Sequence, residues 1–291
     1  MREAIQTLGS ALVWLEVALL TIVFAVPALV LGPPLLWCDR RRRLLDLLAR
    51  LWARAILAVN PFARCEIEGR QHIARGQPYV LAVNHQSLAD TIGILLLGLP
   101  AKFIAKRSLF RVPVFGWCMR LLGCIPVERG NPRSGVRCLA EARSWLERGA
   151  TVVVFVEGTR SPDGELRPFK EGAFRLAVET GTSLLPVVID GAGRLLRKGS
   201  WRFAPGARLR LVVGPPLQPP APQGDVQAHN RAIAALSERV RTWMLEQLVR
   251  LRGEQAPPPA TPVAALPDAE TPLTTDRSSS PAAPPRRTSR R

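Results

Sequence analysis

By pattern, the chain divides into an apolar N-terminal stretch, a long middle in which short apolar runs alternate with amphipathic segments, and a polar tail. Residues 17–37 carry no charge. At about 1.5 Å per residue such a helix reaches across a hydrocarbon core of about 30 Å. Pro27, Pro33 and Pro34 interrupt it, so a kinked span, a re-entrant hairpin and an interfacial helix all fit. Asp39 and four arginines, Arg40 to Arg43, follow; by the positive-inside rule they put everything downstream on the cytoplasmic side. Leu44, Leu47, Leu48, Leu51, Trp52, Ala55 and Ile56 then recur at three and four spacing, with Arg50 and Arg54 opposite. That predicts an amphipathic helix over 44–59, lying either on lipid or on the domain that follows.

Strands are expected at 65–67, 79–83, 101–105, 124–127, 151–156, 184–189 and 209–213, and helices at 87–97, 131–148, 170–180 and 225–251. Asn131-Pro132 reads as an N-cap followed by proline at the first helical position. The run 151–156, TVVVFV, is continuously apolar, as a strand covered on both faces must be. Asp225 caps the last helix, with Ile233, Leu236, Val240, Trp243, Met244 and Leu248 on one stripe. The alternation predicts an α/β fold, a mixed sheet flanked by helices, behind a membrane-associated helical segment. From Gly253 the chain is rich in Pro, Ala, Thr and Ser without apolar periodicity, and is expected to be disordered. The expected organisation is an anchor and amphipathic helix over 1–59, one domain over 60–252 and a tail over 253–291.

Charge narrows the partners. Forty basic against 23 acidic residues leave +17. The tail's five arginines and four acids account for one of these, so the remainder belongs to the folded part and asks for an anionic partner. No basic helix with interleaved aromatics is present, which argues against nucleic acid. The five cysteines include no C-x-x-C pair and no histidine lies at ligand spacing, so neither a zinc site nor a disulfide framework is expected, and the thiols fit a reduced, cytosol-facing protein. No metal or other cofactor is expected.

The chemistry concentrates where the strand at 79–83 ends, in YVLAVNHQSLAD. If Ser87 caps the following helix, His85 lies in the turn before it and Asp90 in its first turn, from where the histidine folds back onto the acid. An imidazole held by a carboxylate on one nitrogen is a general base on the other. The same four residues, Ser87 to Asp90, also read as a capping box in which the acid only serves the helix end. The strand at 151–156 ends in Glu157-Gly158-Thr159-Arg160-Ser161. There Gly158 permits close backbone approach to an anion, the hydroxyls add donors and Arg160 offers a planar fork for phosphate oxygens. An ordinary polar turn looks alike. Arg129, in Gly123 to Gly130, is either a second phosphate ligand or a surface arginine.

Taken together, NHQSLAD, GCIPVERG, FVEGTRS and Leu185-Pro186-Val187-Val188, in this order and at these separations, resemble the four-block signature of the glycerolipid acyltransferases, especially the 1-acyl-sn-glycerol-3-phosphate acyltransferases. The resemblance covers residues 67–217 and takes in AKRSLFRVPVFGW and PFKEGAF. It implies transfer of a fatty acyl group from acyl-CoA or acyl carrier protein to lysophosphatidic acid, giving phosphatidic acid in phospholipid biosynthesis at the cytoplasmic face of the inner membrane. It implies that His85 deprotonates the acceptor hydroxyl, that Asp90 orients and charges His85, that Arg129, Glu157, Gly158, Thr159 and Arg160 bind the glycerol phosphate, and that Pro186 lies near the acyl site. Val156 stands where the family usually has proline, and Glu128 where aspartate is frequent; these departures bear on substrate preference. Another lysophospholipid or a lyso-ornithine lipid as acceptor is the near rival, and a non-catalytic protein binding anionic lipid the rival of another class.

Overall fold

The computed structural model describes residues 2–60, 63–220 and 225–253; the rest of the tail expected at 253–291 lies outside them. The chain opens with helices α1 (Arg2–Cys38) and α2 (Arg43–Val59), then alternates: β1 (Ala63–Glu68), β2 (Val80–Val83), α3 (Ala89–Leu95), β3 (Ala101–Lys106), α4 (Phe115–Leu122), β4 (Ile125–Val127), α5 (Pro132–Glu147) and β5 (Thr151–Phe155). It continues with α6 (Gly172–Thr180), β6 (Leu184–Asp190), α7 (Ala192–Leu195), β7 (Ala207–Val213) and α8 (Val226–Arg252). The strands form one sheet in the order β1-β7-β6-β2-β5-β3-β4. Neighbours are parallel except β6 and β7, so the sheet is mixed and flanked by helices, as expected.

The continuous apolar runs are explained by burial on both faces. Side chains alternate along a strand, so Val80 and Ala82 of β2 pack with Trp145 of α5, Phe174 of α6 and Met244 of α8. Leu81 and Val83 face the other way, toward Ala53 of α2, Ile94 of α3 and Met119 of α4. The caps read from sequence hold at two helices: the Asn131 side chain accepts from the Ser134 amide, and Asp225 accepts from Gln227 and Ala228.

Four expectations are corrected. The start of α3 lies later than expected: the helix begins at Ala89 after Leu88, while the Ser87 hydroxyl accepts from the Ala89 amide at 3.3 Å and donates to Leu196 O at 2.8 Å. Helices α4 and α7 were not expected, because Pro113, Gly116 and the brevity of α7 hide their period. Pro27, Pro33 and Pro34 do not break α1; each stays inside it, without its main-chain donor. In α2 the buried face is Leu45, Asp46, Ala49, Ala53 and Ile56, while Leu44, Leu47 and Leu51 of the predicted stripe stay exposed. Small residues let α2 approach the domain closely, which leaves its leucines outward.

Candidate active site

Strand β2 ends in a residue that behaves like another rung of the sheet. The buried Asn84 side chain donates to Ile189 O at 2.8 Å and accepts from Ile189 N at 2.7 Å, pinning the end of β2 to β6. The next residue is His85. Its amide donates to Glu157 Oε1 at 3.0 Å and its carbonyl accepts from Ser161 N at 2.7 Å, so the loop after β5 grips the histidine backbone on both sides. The ring stacks on Phe155, with centroids 3.9 Å apart and planes at 19°.

The histidine does fold back onto the acid. His85 Nδ1 lies 2.7 Å from Asp90 Oδ2, with the Asp90 side chain fully buried and the imidazole 13% exposed. The same oxygen accepts from the amides of Gln86 at 2.7 Å and Ser87 at 2.9 Å. The capping reading and the catalytic reading thus describe one carboxylate. A carboxylate can only accept, so Nδ1 carries the proton and Nε2 keeps its lone pair. Among the described residues Asp90 Oδ1 is buried without a partner.

Glu157 sits beneath this pair. It is buried, one oxygen bound to the His85 amide and the other to the Arg167 amide at 3.2 Å. Burial pushes its carboxyl up to about 7. Each oxygen accepts from a backbone amide, so Glu157 ties the histidine turn to the segment around Arg167. The Gly158 amide donates to Phe155 O at 2.9 Å, and its φ of 70° favours glycine. Thr159 is exposed and Arg160 half-buried. Arg160 forms no ion pair among the described residues, and in particular none with Glu157; its carbonyl accepts from Lys198 Nζ at 2.8 Å.

Arg129 is exposed just beyond β4. Lys106, which the reading of single residues passed over, ends β3 between β5 and β4 and is also exposed. Lys106, Arg129 and Arg160 therefore close three successive strands on the β5 flank of His85. Pro186 is separated from them: it is buried inside β6, in register with Ala82 and packed under Gly214, below the end of the sheet where His85 lies.

A histidine and a carboxylate at the carboxyl end of the inner strands, in a mixed sheet covered on both faces, define the class, and an acyltransferase family model matches residues 64–190. The chain is 30% identical over 252 residues to the 1-acyl-sn-glycerol-3-phosphate acyltransferase of Pseudomonas aeruginosa, covering 86% of this chain and 93% of that protein. It is 36% identical over 204 residues to the chloroplastic 1-acyl-sn-glycerol-3-phosphate acyltransferase of Arabidopsis thaliana, over 69% of this chain but 57% of that longer relative. The crystal structure of the 1-acyl-sn-glycerophosphate acyltransferase of Thermotoga maritima superposes with a TM-score of 0.67 at 28% identity, covering 88% of this chain and all of that one. The chain belongs to the 1-acyl-sn-glycerol-3-phosphate acyltransferase family.

Proposed function

We propose that this protein transfers a fatty acyl group from a thioester donor, acyl-CoA or acyl carrier protein, to the free hydroxyl of lysophosphatidic acid, giving phosphatidic acid. The observation that carries the reading is the 2.7 Å contact between His85 Nδ1 and Asp90 Oδ2 on a ring that keeps an edge open to solvent. A hydroxyl is a weak nucleophile at neutral pH, and Nε2 takes its proton as the oxygen attacks the thioester carbonyl. The C–S bond then breaks, and the proton returns from the imidazolium to the leaving thiolate. Asp90 holds the ring in the productive tautomer and offsets the charge it gains. Arg160 and Arg129, joined by Lys106, bind the acceptor phosphate from the β5 flank, since guanidinium forks match phosphate oxygens. The work takes place on the cytoplasmic face of a membrane, against which the apolar helices rest.

The test is turnover by the purified protein with both donors against a panel of lysolipid acceptors, lysophosphatidic acid and a lyso-ornithine lipid among them. Lysophosphatidic acid should be the preferred acceptor. His85→Ala should lower kcat by about 10²- to 10⁴-fold. Asp90→Asn should do comparable damage, because its amide faces Nδ1 as a donor and drives the proton to Nε2. A folded His85→Ala protein with normal turnover rejects the mechanism, and preference for another acceptor rejects the substrate.

A further inference from the structure

A thioester donor and an alcohol acceptor must meet at one imidazole nitrogen, so their two anionic ends leave His85 in different directions. The acceptor's side is taken by the basic residues that close β3, β4 and β5. Between the loop after β5 and the end of β6 lies a cavity of about 600 Å³ whose lining includes Gln86, Ser161, Asp190, Arg197, Lys198 and Arg252. It begins beside the catalytic turn. Gln86 is buried and ties its two banks together, accepting from Gly193 N at 3.3 Å and donating to Gly164 O at 3.5 Å.

The cations of this cavity fall into two groups. Asp190 receives Arg194 at 2.7 Å and Arg252 at 3.3 Å from the lining, and Arg210 of β7 at 3.1 Å from outside it, and Arg252 also reaches Glu165 at 2.7 Å. Those charges hold the loops and are offset. Arg197 makes no ion pair or side-chain hydrogen bond among the described residues, and Lys198 spends its ammonium on a neutral acceptor, the Arg160 carbonyl. Both are exposed. Two cations without a carboxylate partner, on the rim of a cavity that runs up to the catalytic turn, are available to an anion.

We infer that this cavity receives the pantetheine arm of the acyl donor and that Arg197 and Lys198 bind the phosphate at its end, a group shared by coenzyme A and the prosthetic group of acyl carrier protein. The inference rests on the acyl-transfer reading above and extends it to the donor.

Arg197→Ala/Lys198→Ala is the variant of choice, since both side chains are exposed and the one bond lost is that from Lys198 to the Arg160 carbonyl, which Arg197→Ala alone leaves intact. Calorimetry with 4′-phosphopantetheine and with pantetheine reads the site without turnover, which separates it from the reading it rests on. Wild-type protein should bind the phosphorylated arm about tenfold tighter or better, as expected for a charge-assisted phosphate contact, and the variant should lose that difference. An Arg197→Lys/Lys198→Arg exchange should keep most of it. In steady state the variant should show a raised KM for the donor and an unchanged KM for the acceptor. A rise with both acyl-CoA and acyl carrier protein assigns the shared phosphate, and a rise with only one names that carrier as its source. Equal binding of the two arms by wild-type protein overturns the inference, as does a variant whose acceptor KM alone rises. Wild-type protein that binds the phosphorylated arm yet transfers no acyl group would instead reject the proposed function.

Discussion

At the scale of single residues, the site depends on one acid touching another residue's backbone. Glu157 holds the His85 amide at 3.0 Å, and burial, with the charge of Asp90 adding, raises its carboxyl to about 7 from an ordinary 4.5. The folded state therefore binds this proton more tightly than the unfolded chain. Its contribution to stability is fully present below about 4.5 and is lost as pH rises through about 7. Glu157→Gln removes the titration, so the thermal midpoint of wild-type protein should fall more steeply across that window than the variant's. The stability of wild-type protein relative to the variant should fall toward neutrality. Parallel pH profiles would show that Glu157 does not titrate there. The histidine and aspartate were legible in the sequence because a strand end, a turn and a five-residue spacing leave few geometries. The hydrogen bonds of Glu157 were not, since an acid beside a glycine after a strand does not reveal that both its oxygens accept from backbone amides. Pro186 shows the same gap: a place in a motif does not say whether a side chain faces the ligand or the core.

Among elements, α2 is joined to the sheet by a pair that no pattern announced. Asp46 of α2 and Lys102 of β3 meet at 2.7 Å, both buried, with the ammonium 5.0 Å from the Trp145 ring of α5. Burial raises the Asp46 carboxyl to about 6 and lowers the Lys102 ammonium, and each partner opposes the other's shift. Such a pair gains little over apolar side chains of the same size, yet breaking it strands a buried charge. Lys102→Met or Asp46→Leu alone should cost about 3–5 kcal/mol, while the double variant should cost far less than the sum. Denaturant unfolding of the four proteins gives the coupling directly, and additive losses would mean that the two side chains do not act as a pair. An aspartate in a leucine-rich helix and a lysine in a strand both read as solvent-facing, which is why the exposed and buried faces of α2 were assigned differently from the sequence. Arg42 has a structural contact that the charge pattern does not show. It belongs to the arginine run after α1, but its guanidinium turns inward to Arg120 O and Leu121 O and lies 4.8 Å from the Trp145 ring. The inner strands β2 and β6 were legible because burial on both faces makes them continuously apolar, over 80–83 and 184–189.

For the whole molecule, the proposed transfer to a lysolipid raises the question of how the domain meets a membrane. Helix α1, 37 residues long, extends about 55 Å at 1.5 Å per residue, well beyond a hydrocarbon core of about 30 Å. It stays in contact with the rest of the protein along this length. Near its start Gln6 donates to Phe203 O, the Phe203 amide donates to Ser10 Oγ and the Trp14 indole donates to Trp201 O. At its middle Thr21 Oγ1 accepts from the Trp52 indole, and near its end Gly32 packs on Leu121. A helix held at both ends by one domain cannot leave through a bilayer, so of the three dispositions open in the sequence the interfacial one fits best. Its outward face is apolar: Leu8, Leu12, Leu19 and Val23 are each 53–65% exposed. Apolar burial in the headgroup region is not screened by salt, whereas attraction between the basic surface and anionic lipid is. Purified protein should therefore float with lipid vesicles and remain on them after a high-salt wash. Leu8→Glu/Leu12→Glu/Leu19→Glu/Val23→Glu should abolish salt-resistant flotation and leave a weaker, salt-sensitive association with anionic vesicles. Because these side chains are solvent-facing in the fold, circular dichroism and the thermal midpoint should change little. Complete release of the wild-type protein by salt would mean that charge alone holds it to lipid, and unchanged flotation of the quadruple variant would move the contact away from α1.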